Sequence, residues 1–159
     1  MTAPLPTTPL TPAERRIAQH VVRGLSAREI ADATQLSPNT THTYLRAMRG
    51  KLRCPERCTL AVVAHRLIAS GEATAPTPDT PAPALSEAQL VLLRAVTEYS
   101  RPLDIARAAK LAPADLRASL DQLLADAGAA DTTQLVTRAH AWELLSSGRG
   151  ETVPGGARR

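Results

Sequence analysis

The chain has 159 residues, a formal net charge of +4 at pH 7 and a hydrophobic fraction of 43%. A chain of this length holds one ordinary domain or two small ones, and the hydrophobic fraction is sufficient for a folded core. The sequence has neither a run of 18 apolar residues nor the pattern of a signal peptide, which argues against a membrane-spanning or exported protein and favours a cytoplasmic one.

The positive charge is concentrated in the first half of the chain. Residues 10–71 carry ten Lys and Arg against four Asp and Glu, a balance of +6, whereas residues 85–146 carry six against eight, a balance of −2. A basic segment favours a polyanionic partner, and an acidic segment does not. We therefore expect the first half to bind a polyanion.

Clear helix signals follow a Pro- and Thr-rich stretch, residues 1–9, for which we predict disorder. Thr11-Pro-Ala-Glu14 and Ser26-Ala-Arg-Glu29 are capping boxes, and Ser37-Pro38 and Pro55 mark two further helix starts. The turn between the second and third helix is short, as a helix-turn-helix requires. We predict four helices in this half, over residues 12–23, 27–34, 38–52 and 56–69.

The third predicted helix divides into two faces. Positions spaced i, i+4, i+7 and i+11 form one buried stripe, made of Thr41, Leu45, Met48 and Leu52. The opposite face carries side chains that donate hydrogen bonds to phosphates or base edges, namely Asn39, His42, Thr43, Arg46 and Arg49. This division predicts a helix that packs on a core with one face and enters a DNA major groove with the other.

The second half of the chain repeats the pattern of the first. Residues 72–84 hold four prolines, which predicts a semi-rigid linker of polyproline type. A shift of 75 residues then aligns residues 85–146 with 10–71 without a gap, and it pairs Pro38 with Pro113 and His65 with His140. We predict a duplicated helical domain over 85–146, followed by a flexible tail over 147–159.

Residues 10–71 resemble the helix-turn-helix domain of the LuxR-type bacterial transcription regulators, also called GerE or NarL/FixJ-type. The resemblance rests on short motifs that occur in order and in register: Leu10-Thr-Pro-Ala-Glu14, Gly24-Leu-Ser-Ala-Arg-Glu-Ile-Ala31, Leu36-Ser-Pro-Asn-Thr40, Thr43-Tyr-Leu-Arg46 and Lys51-Leu52. It implies that the third helix enters the major groove and that the fourth often forms a homodimer contact. The predicted fold is all-α, with two tandem four-helix helix-turn-helix domains joined by a Pro-rich linker.

The resemblance also implies a set of DNA contacts. The base-contacting residues would be His42, Thr43 and Arg46. The backbone-contacting residues would be Ser26, Arg28, Asn39, Thr40, Tyr44, Arg49 and Lys51, and Glu29 would act as a helix cap. The sequence departs from the family pattern at three positions: His42 replaces a Lys, Tyr44 replaces a His, and Thr41 replaces an apolar residue on the buried side.

The outer face of the second copy lacks the basic residues of the first. Acidic or apolar residues replace them, namely Asp121 for Arg46, Leu124 for Arg49 and Asp126 for Lys51. Because carboxylates repel phosphates, we expect a retained fold with a lost groove-reading surface. The alternative is a divergent DNA reader that uses Arg101, Arg107, Lys110 and Arg117. If instead the groove-reading surface is lost, we expect the second copy to form an intramolecular pseudo-dimer with the first, or a homodimer, through helices 56–69 and 133–145.

Other candidate chemistry is weak. Cys54 and Cys58 lie four residues apart, but a zinc site usually needs four ligands and no second pair exists, so we interpret both as buried, inert thiols. The alternative is a redox-sensing pair, for which the sequence gives no support. We predict no metal, no cofactor and no enzymatic activity. The primary prediction is a sequence-specific transcription regulator that binds double-stranded DNA. The alternative is an adaptor that binds another regulator or RNA polymerase with little direct DNA contact.

Overall fold

The computed structural model describes residues 9–55 and 57–145. Its helices are α1 Pro12–Val21, α2 Ala27–Thr34, α3 Pro38–Lys51, α4 Leu60–Ala69, α5 Glu87–Glu98, α6 Pro102–Ala108, α7 Pro113–Ala127 and α8 Thr132–Ala141. The described residues contain no β-strand, so the all-α prediction is confirmed. No helix among them is long and apolar enough to cross a membrane. The predicted disordered stretch up to residue 8 and the predicted tail over 147–159 lie outside the described residues.

Local hydrogen bonds explain where the first three helices begin. Thr11 Oγ1 accepts the N–H of Glu14 at 3.1 Å, while Glu14 Oε1 accepts the N–H of Thr11 at 2.9 Å. Ser26 and Glu29 form the same reciprocal pair, and Ser37 Oγ accepts a backbone N–H of the first turn of α3 at 3.1 Å. Each cap satisfies backbone donors that the first turn of a helix leaves unpaired. The predicted starts of α1, α2 and α3 are confirmed.

The fourth helix of each half is shorter than predicted. α4 begins at Leu60 rather than at residue 56, because Arg57 takes a left-handed φ of 61° and Thr59 caps the helix behind it. α8 ends at Ala141 rather than at residue 145, and Glu143 takes a φ of 61° just beyond it. Left-handed residues interrupt a right-handed helix, and the hydrophobic pattern contains no sign of them. The predicted bounds are therefore wrong at these two ends.

Backbone features recur along the chain at the spacing of the predicted duplication. α5, α6 and α7 begin 75 residues after α1, α2 and α3. In the turn after the second helix of each half, Gln35 and Lys110 have left-handed φ angles of 60° and 61°. After the third helix, Arg53 and Gly128 have φ angles of 58° and 67°. These correspondences support the duplication, which stays a prediction.

The two halves pack against each other mainly through α4 and α8. Within this contact the rings of His65 and His140 stack with their centroids 5.0 Å apart, and His65 Nδ1 lies 2.9 Å from His140 Nε2. These two residues are 75 positions apart, which is the shift of the predicted duplication. The contact therefore joins the same position of the two halves. A two-fold axis between two copies requires such a self-paired contact.

Smaller contacts accompany the histidine pair. The N–H of Thr59, at the start of α4, donates to Ser100 Oγ at 2.9 Å. Gly24 lies against Gln134, near the start of α8. Under the 75-residue shift, Gly24 corresponds to Tyr99, which precedes Ser100, and Gln134 corresponds to Thr59. The contact of Gly24 with Gln134 is therefore the counterpart of the contact between Ser100 and Thr59. The interface between the two halves therefore has approximate two-fold symmetry.

The Pro-rich linker lies against the end of α8. Trp142 Nε1 donates to the carbonyl of Thr80 at 2.8 Å, and Arg138 Nη1 lies 3.7 Å from the carboxylate of Asp79. Ala73, at the start of the linker, is buried. A fully extended linker of this length would reach about 40 Å at ~3.1 Å per residue. The observed contacts hold it against both halves instead, since at its start Arg15 Nε lies 3.9 Å from the carboxylate of Glu72 and the N–H of Ala73 donates to the carbonyl of Leu67 at 3.1 Å.

Replacing Gly24 with Ala is expected to destabilise the protein. Gly24 has a φ of +87°, a conformation that costs other residues roughly 1–2 kcal/mol, and an added Cβ would overlap Gln134 Cγ. Gly71 is a matched control, because its φ is +84° but no atom lies within 4 Å of an added Cβ. In urea unfolding, Gly24→Ala should lose more unfolding free energy than Gly71→Ala. Equal losses would contradict the close approach of the two halves.

Candidate nucleic-acid interface

α3 has one buried face and one exposed face, as its sequence predicts. The buried face consists of Thr41, Leu45 and Met48, and the buried Leu52 follows at the helix end. The opposite face is exposed and carries His42, Thr43 and Arg46, with Asn39 and Thr40 in the first turn. The buried face therefore anchors the helix in the core, and the opposite face is open to solvent.

The turn between α2 and α3 sets the direction of this exposed face. α2 ends at Thr34, Gln35 takes the left-handed φ of 60°, and the N–H of Leu36 donates to the carbonyl of Ala31 at 3.0 Å. Ile30 and Ala31 bury the inner side of α2. Two short helices joined by a tight turn form a helix-turn-helix, in which the first helix supports the second.

A basic groove of about 710 Å³ opens beside the exposed face of α3. It is lined by His42, Arg46, Arg49, Gly50, Cys54 and Arg57. Arg49 Nε donates to the carbonyl of Cys58 at 3.1 Å, which holds this guanidinium at the groove wall. Arg46 and Arg57 are exposed to solvent. Three arginines around one groove produce a positive potential that attracts a phosphate backbone.

Lys51 is engaged inside the domain. Its Nζ lies 2.6 Å from Oε1 of Glu14, whose side chain is only 5% exposed. Burial by itself would raise the pKa of Glu14, but the hydrogen bonds from Lys51 and Thr11 and the charge of Lys51 outweigh it, so that pKa is lowered. The ammonium therefore neutralises a buried carboxylate and joins α3 to α1. The predicted phosphate contact of Lys51 stays a prediction, and the ion pair is a competing role.

The other predicted backbone contacts differ in their accessibility. Arg28, in the first turn of α2, is exposed. The hydroxyl of Ser26 accepts the N–H of Glu29 at 3.1 Å, and Glu29 Oε1 accepts the N–H of Ser26, so Glu29 is the helix cap that the sequence predicts. Tyr44 is half-buried and packs against the core. α2 therefore offers a cation and a hydroxyl to solvent, while Tyr44 is partly occupied by packing.

Comparison with known proteins gives a family match for part of the chain. Residues 8–64 match the sequence model of the bacterial regulatory proteins of the luxR family, named GerE. These residues form a luxR-family domain. Membership of this family indicates, in general terms, a role in DNA-binding transcription regulation. The matched residues include every residue predicted to contact DNA. No curated protein and no solved structure shows significant similarity to the chain.

The outer surface of α7, beyond the luxR-family match, has a different character from that of α3. Arg117 pairs with the carboxylate of Asp121 at 3.5 Å. The carboxylate of Asp126 accepts amide N–H groups from Gln89 at 2.7 Å and from Gln122 at 2.9 Å. Both aspartates are exposed, and the predicted duplication pairs them with Arg46 and Lys51. Their charge would oppose the approach of a phosphate backbone.

Sequence reasoning missed two features of the luxR-family domain. Arg57 lines the basic groove, but the sequence placed it inside a predicted helix rather than in the loop before α4. Thr41 is fully buried, and its Oγ1 has no hydrogen-bond partner among the described residues. The apolar stripe of α3 predicted the burial of Thr41, but the lack of a partner depends on the groups that neighbouring helices bring to it.

Proposed function

We propose that the chain is a transcription regulator that reads specific DNA sequences with α3. The observation that carries this proposal is the exposed row of His42, Thr43 and Arg46 on a helix whose opposite face is fixed in the core of a luxR-family domain. A guanidinium such as that of Arg46 bonds O6 and N7 of guanine in a bidentate way. Since its target would be chromosomal DNA, the protein would act in the cytoplasm.

Residues around this row would contact the phosphates. From the predicted set we propose Ser26 and Arg28 on α2, together with Asn39, Thr40, Tyr44 and Arg49 on α3. The position of Arg57 in the groove wall adds it to this set. Lys51 is the weakest member, because a phosphate would have to compete with Glu14 for its ammonium.

A salt titration tests the proposal. Fluorescence anisotropy of the full chain against genomic fragments and random duplexes should show binding to all of them, with selected fragments bound more tightly. The logarithm of the association constant should fall with the logarithm of the salt concentration by about 0.9 per phosphate contacted. A full chain without salt-sensitive affinity for any duplex would refute the proposal.

We further propose that the second half occupies the α4 surface in an intramolecular pseudo-dimer. The self-paired contact of His65 with His140 supports it, as do the related contacts of Thr59 and Gly24 with the opposite half. A surface covered in this way is not open to a second chain. One chain would therefore present a single reading helix and bind a single half-site.

Light scattering distinguishes this arrangement from a homodimer. The free protein should remain a monomer at high micromolar concentration, and a titration against a short duplex should saturate at one chain per half-site. A homodimer through α4 would contradict the pseudo-dimer without affecting the proposal for α3.

The adaptor remains a second candidate because of one observation, the exposed carboxylates on α7. An acidic surface suits a basic patch on another regulator or on RNA polymerase better than it suits DNA. The same anisotropy titration separates the candidates, since an adaptor would bind its protein partner at salt concentrations at which its DNA affinity is absent.

Acidification is expected to weaken the packing of α4 on α8. Burial is the larger cause that lowers the pKa of His65, and the charge of Arg66 is the smaller one. Burial is likewise the larger cause that lowers the pKa of His140 to about 4, and the charge of His65 is the smaller one. The unfolded chain takes up protons on both histidines near the ordinary pKa of about 6.5, whereas the folded chain does not. The free energy of unfolding should therefore fall as the pH drops from about 7 towards 4.

Urea unfolding across this pH range measures the effect. His140→Gln should reduce the pH dependence, and His42→Gln, an exchange on the exposed face of α3, should leave it as in the natural sequence. The same profile in all three proteins would show that the histidine pair is not responsible.

A further inference from the structure

A groove of about 490 Å³ lies between α5 and α7, in the second half of the chain. Leu92 and Leu111 line it, and they belong to the hydrophobic core or pack against it. The other lining residues are small or carry amides, namely Ser86, Ala88, Gln89, Ala118, Ser119 and Gln122. Small-molecule sites in proteins have this range of volume, and they too combine an apolar lining with a few polar groups.

The first half contains the same helix packing, with α1 in place of α5 and α3 in place of α7. Lys51 Nζ lies 2.6 Å from Glu14 Oε1, and at the positions 75 residues later Gln89 Nε2 donates to Asp126 Oδ2 at 2.7 Å. Both contacts join residues that are 37 positions apart. The two helix pairs therefore pack in the same register, so their surfaces can be compared position by position.

This comparison shows that the second half lacks an aromatic ring at the groove. Ser119 lines the groove at the position that the predicted duplication pairs with Tyr44. In the first half, Tyr44 is half-buried and packs against the core. Because a serine has no ring, the space that a tyrosine would fill at this position is left open beside Leu92 and Leu111.

The rim of the groove can bind a hydroxyl group. Gln122 Nε2 donates to Asp126 Oδ1 at 2.9 Å, and Gln89 Oε1 accepts the N–H of Ser86 at 2.9 Å, so both amides are fixed by hydrogen bonds. Gln122 and Ser119 are part of the lining. An amide oxygen and a serine hydroxyl are both acceptors for a ligand O–H group.

We propose that this groove binds a small aromatic molecule that carries a ring hydroxyl and has the size of a tyrosine side chain. Its ring would lie against Leu92 and Leu111, in the space that Ser119 leaves open. Its hydroxyl would bond to Gln122 or Ser119 at the rim. All the residues of this site belong to the second half, so the proposal does not depend on DNA reading by α3.

An NMR titration of the full chain with phenol tests the site. The backbone amide signals of Gln89, Ser119 and Gln122 should shift and saturate, with a dissociation constant on the order of 1 mM for so small a ligand. Cyclohexanol has the same number of heavy atoms but a puckered ring. It should bind at least about threefold more weakly, because it makes fewer close contacts in a space shaped for a flat ring.

Replacing Ser119 with Tyr supplies the ring that the first half carries. The new side chain should fill the groove, abolish saturable phenol binding and raise the urea midpoint, since it covers apolar surface. Asp121→Tyr is the matched control. It adds the same side chain two positions along α7, at an exposed residue outside the groove lining, and should leave phenol binding unchanged.

Four results would each overturn the proposal: shifts that spread over the surface without saturation, phenol binding retained in Ser119→Tyr, phenol binding lost in Asp121→Tyr, or equal affinity for cyclohexanol. Tyr44→Ser provides the reverse test. It should open the corresponding space beside α1, so that phenol also shifts the signals of Glu14 and Ala47. A folded Tyr44→Ser protein without this second site would contradict the link between the missing ring and the groove.

Discussion

Replacing Arg46 with Ala is expected to lower affinity for the preferred DNA site by about 1–3 kcal/mol, which is about 5- to 150-fold in the dissociation constant. Arg46 is exposed on the face of α3 that points away from the core, and it is the longest donor in the predicted base-contacting row. Loss of a bidentate contact should also relax the preference at one base pair. Anisotropy titrations against the preferred site and its single-base variants measure both effects.

Arg117→Ala is the matched control for this substitution. Arg117 is also exposed on the outer face of a third helix, but it lies in the second half and pairs with Asp121. Its removal should leave DNA affinity almost unchanged if only the first half reads DNA. A loss as large as that of Arg46→Ala would support the divergent-reader alternative for the second half, and no loss at Arg46 would mean that α3 is not the reading helix.

Replacing Lys51 with Met is expected to destabilise the folded chain by about 1–3 kcal/mol. The substitution leaves the carboxylate of Glu14, 5% exposed, without its cation, and a buried charge without a partner is strongly unfavourable. Since the pKa of Glu14 is lowered in the folded state, this stabilisation is present above the pKa of the unfolded chain and is lost as the pH falls through the folded-state pKa. Urea unfolding at pH 7 and at successively lower pH should therefore show a difference in unfolding free energy between the natural sequence and Lys51→Met that is largest at pH 7 and shrinks as the pH falls below the ordinary carboxyl pKa.

A double variant separates the two roles of Lys51. Lys51→Met/Glu14→Gln removes the cation and the buried charge together and should recover much of the stability lost in the single variant. If Lys51 also contacts a phosphate, the double variant should bind all duplexes more weakly, with a salt slope smaller by about one unit. A stable double variant with an unchanged salt slope would leave Lys51 a structural residue alone.

Several parts of the fold and of the site followed from the sequence because near neighbours in the chain decide them. Thr11 with Glu14 and Ser26 with Glu29 are capping pairs three residues apart, so the helix starts are local events. The stripe of α3 repeats with the period of a helix, which separates the buried Leu45 from the exposed Arg46 whatever the neighbouring helices are. The same local rules failed at Arg57, where a single left-handed residue delays α4.

Only the tertiary structure decided the contacts between distant residues. Glu14 meets Lys51 across 37 positions, and His65 meets His140 across 75. Arg66 Nη1 reaches the carbonyls of Leu52 and Arg53 across 14 and 13 positions. Each of these pairings depends on the angle and depth at which helices pack, and those are set by the volume of all the buried side chains together. Periodicity along one helix therefore determined which face is buried, while packing between helices determined which partner each buried charge or ring meets.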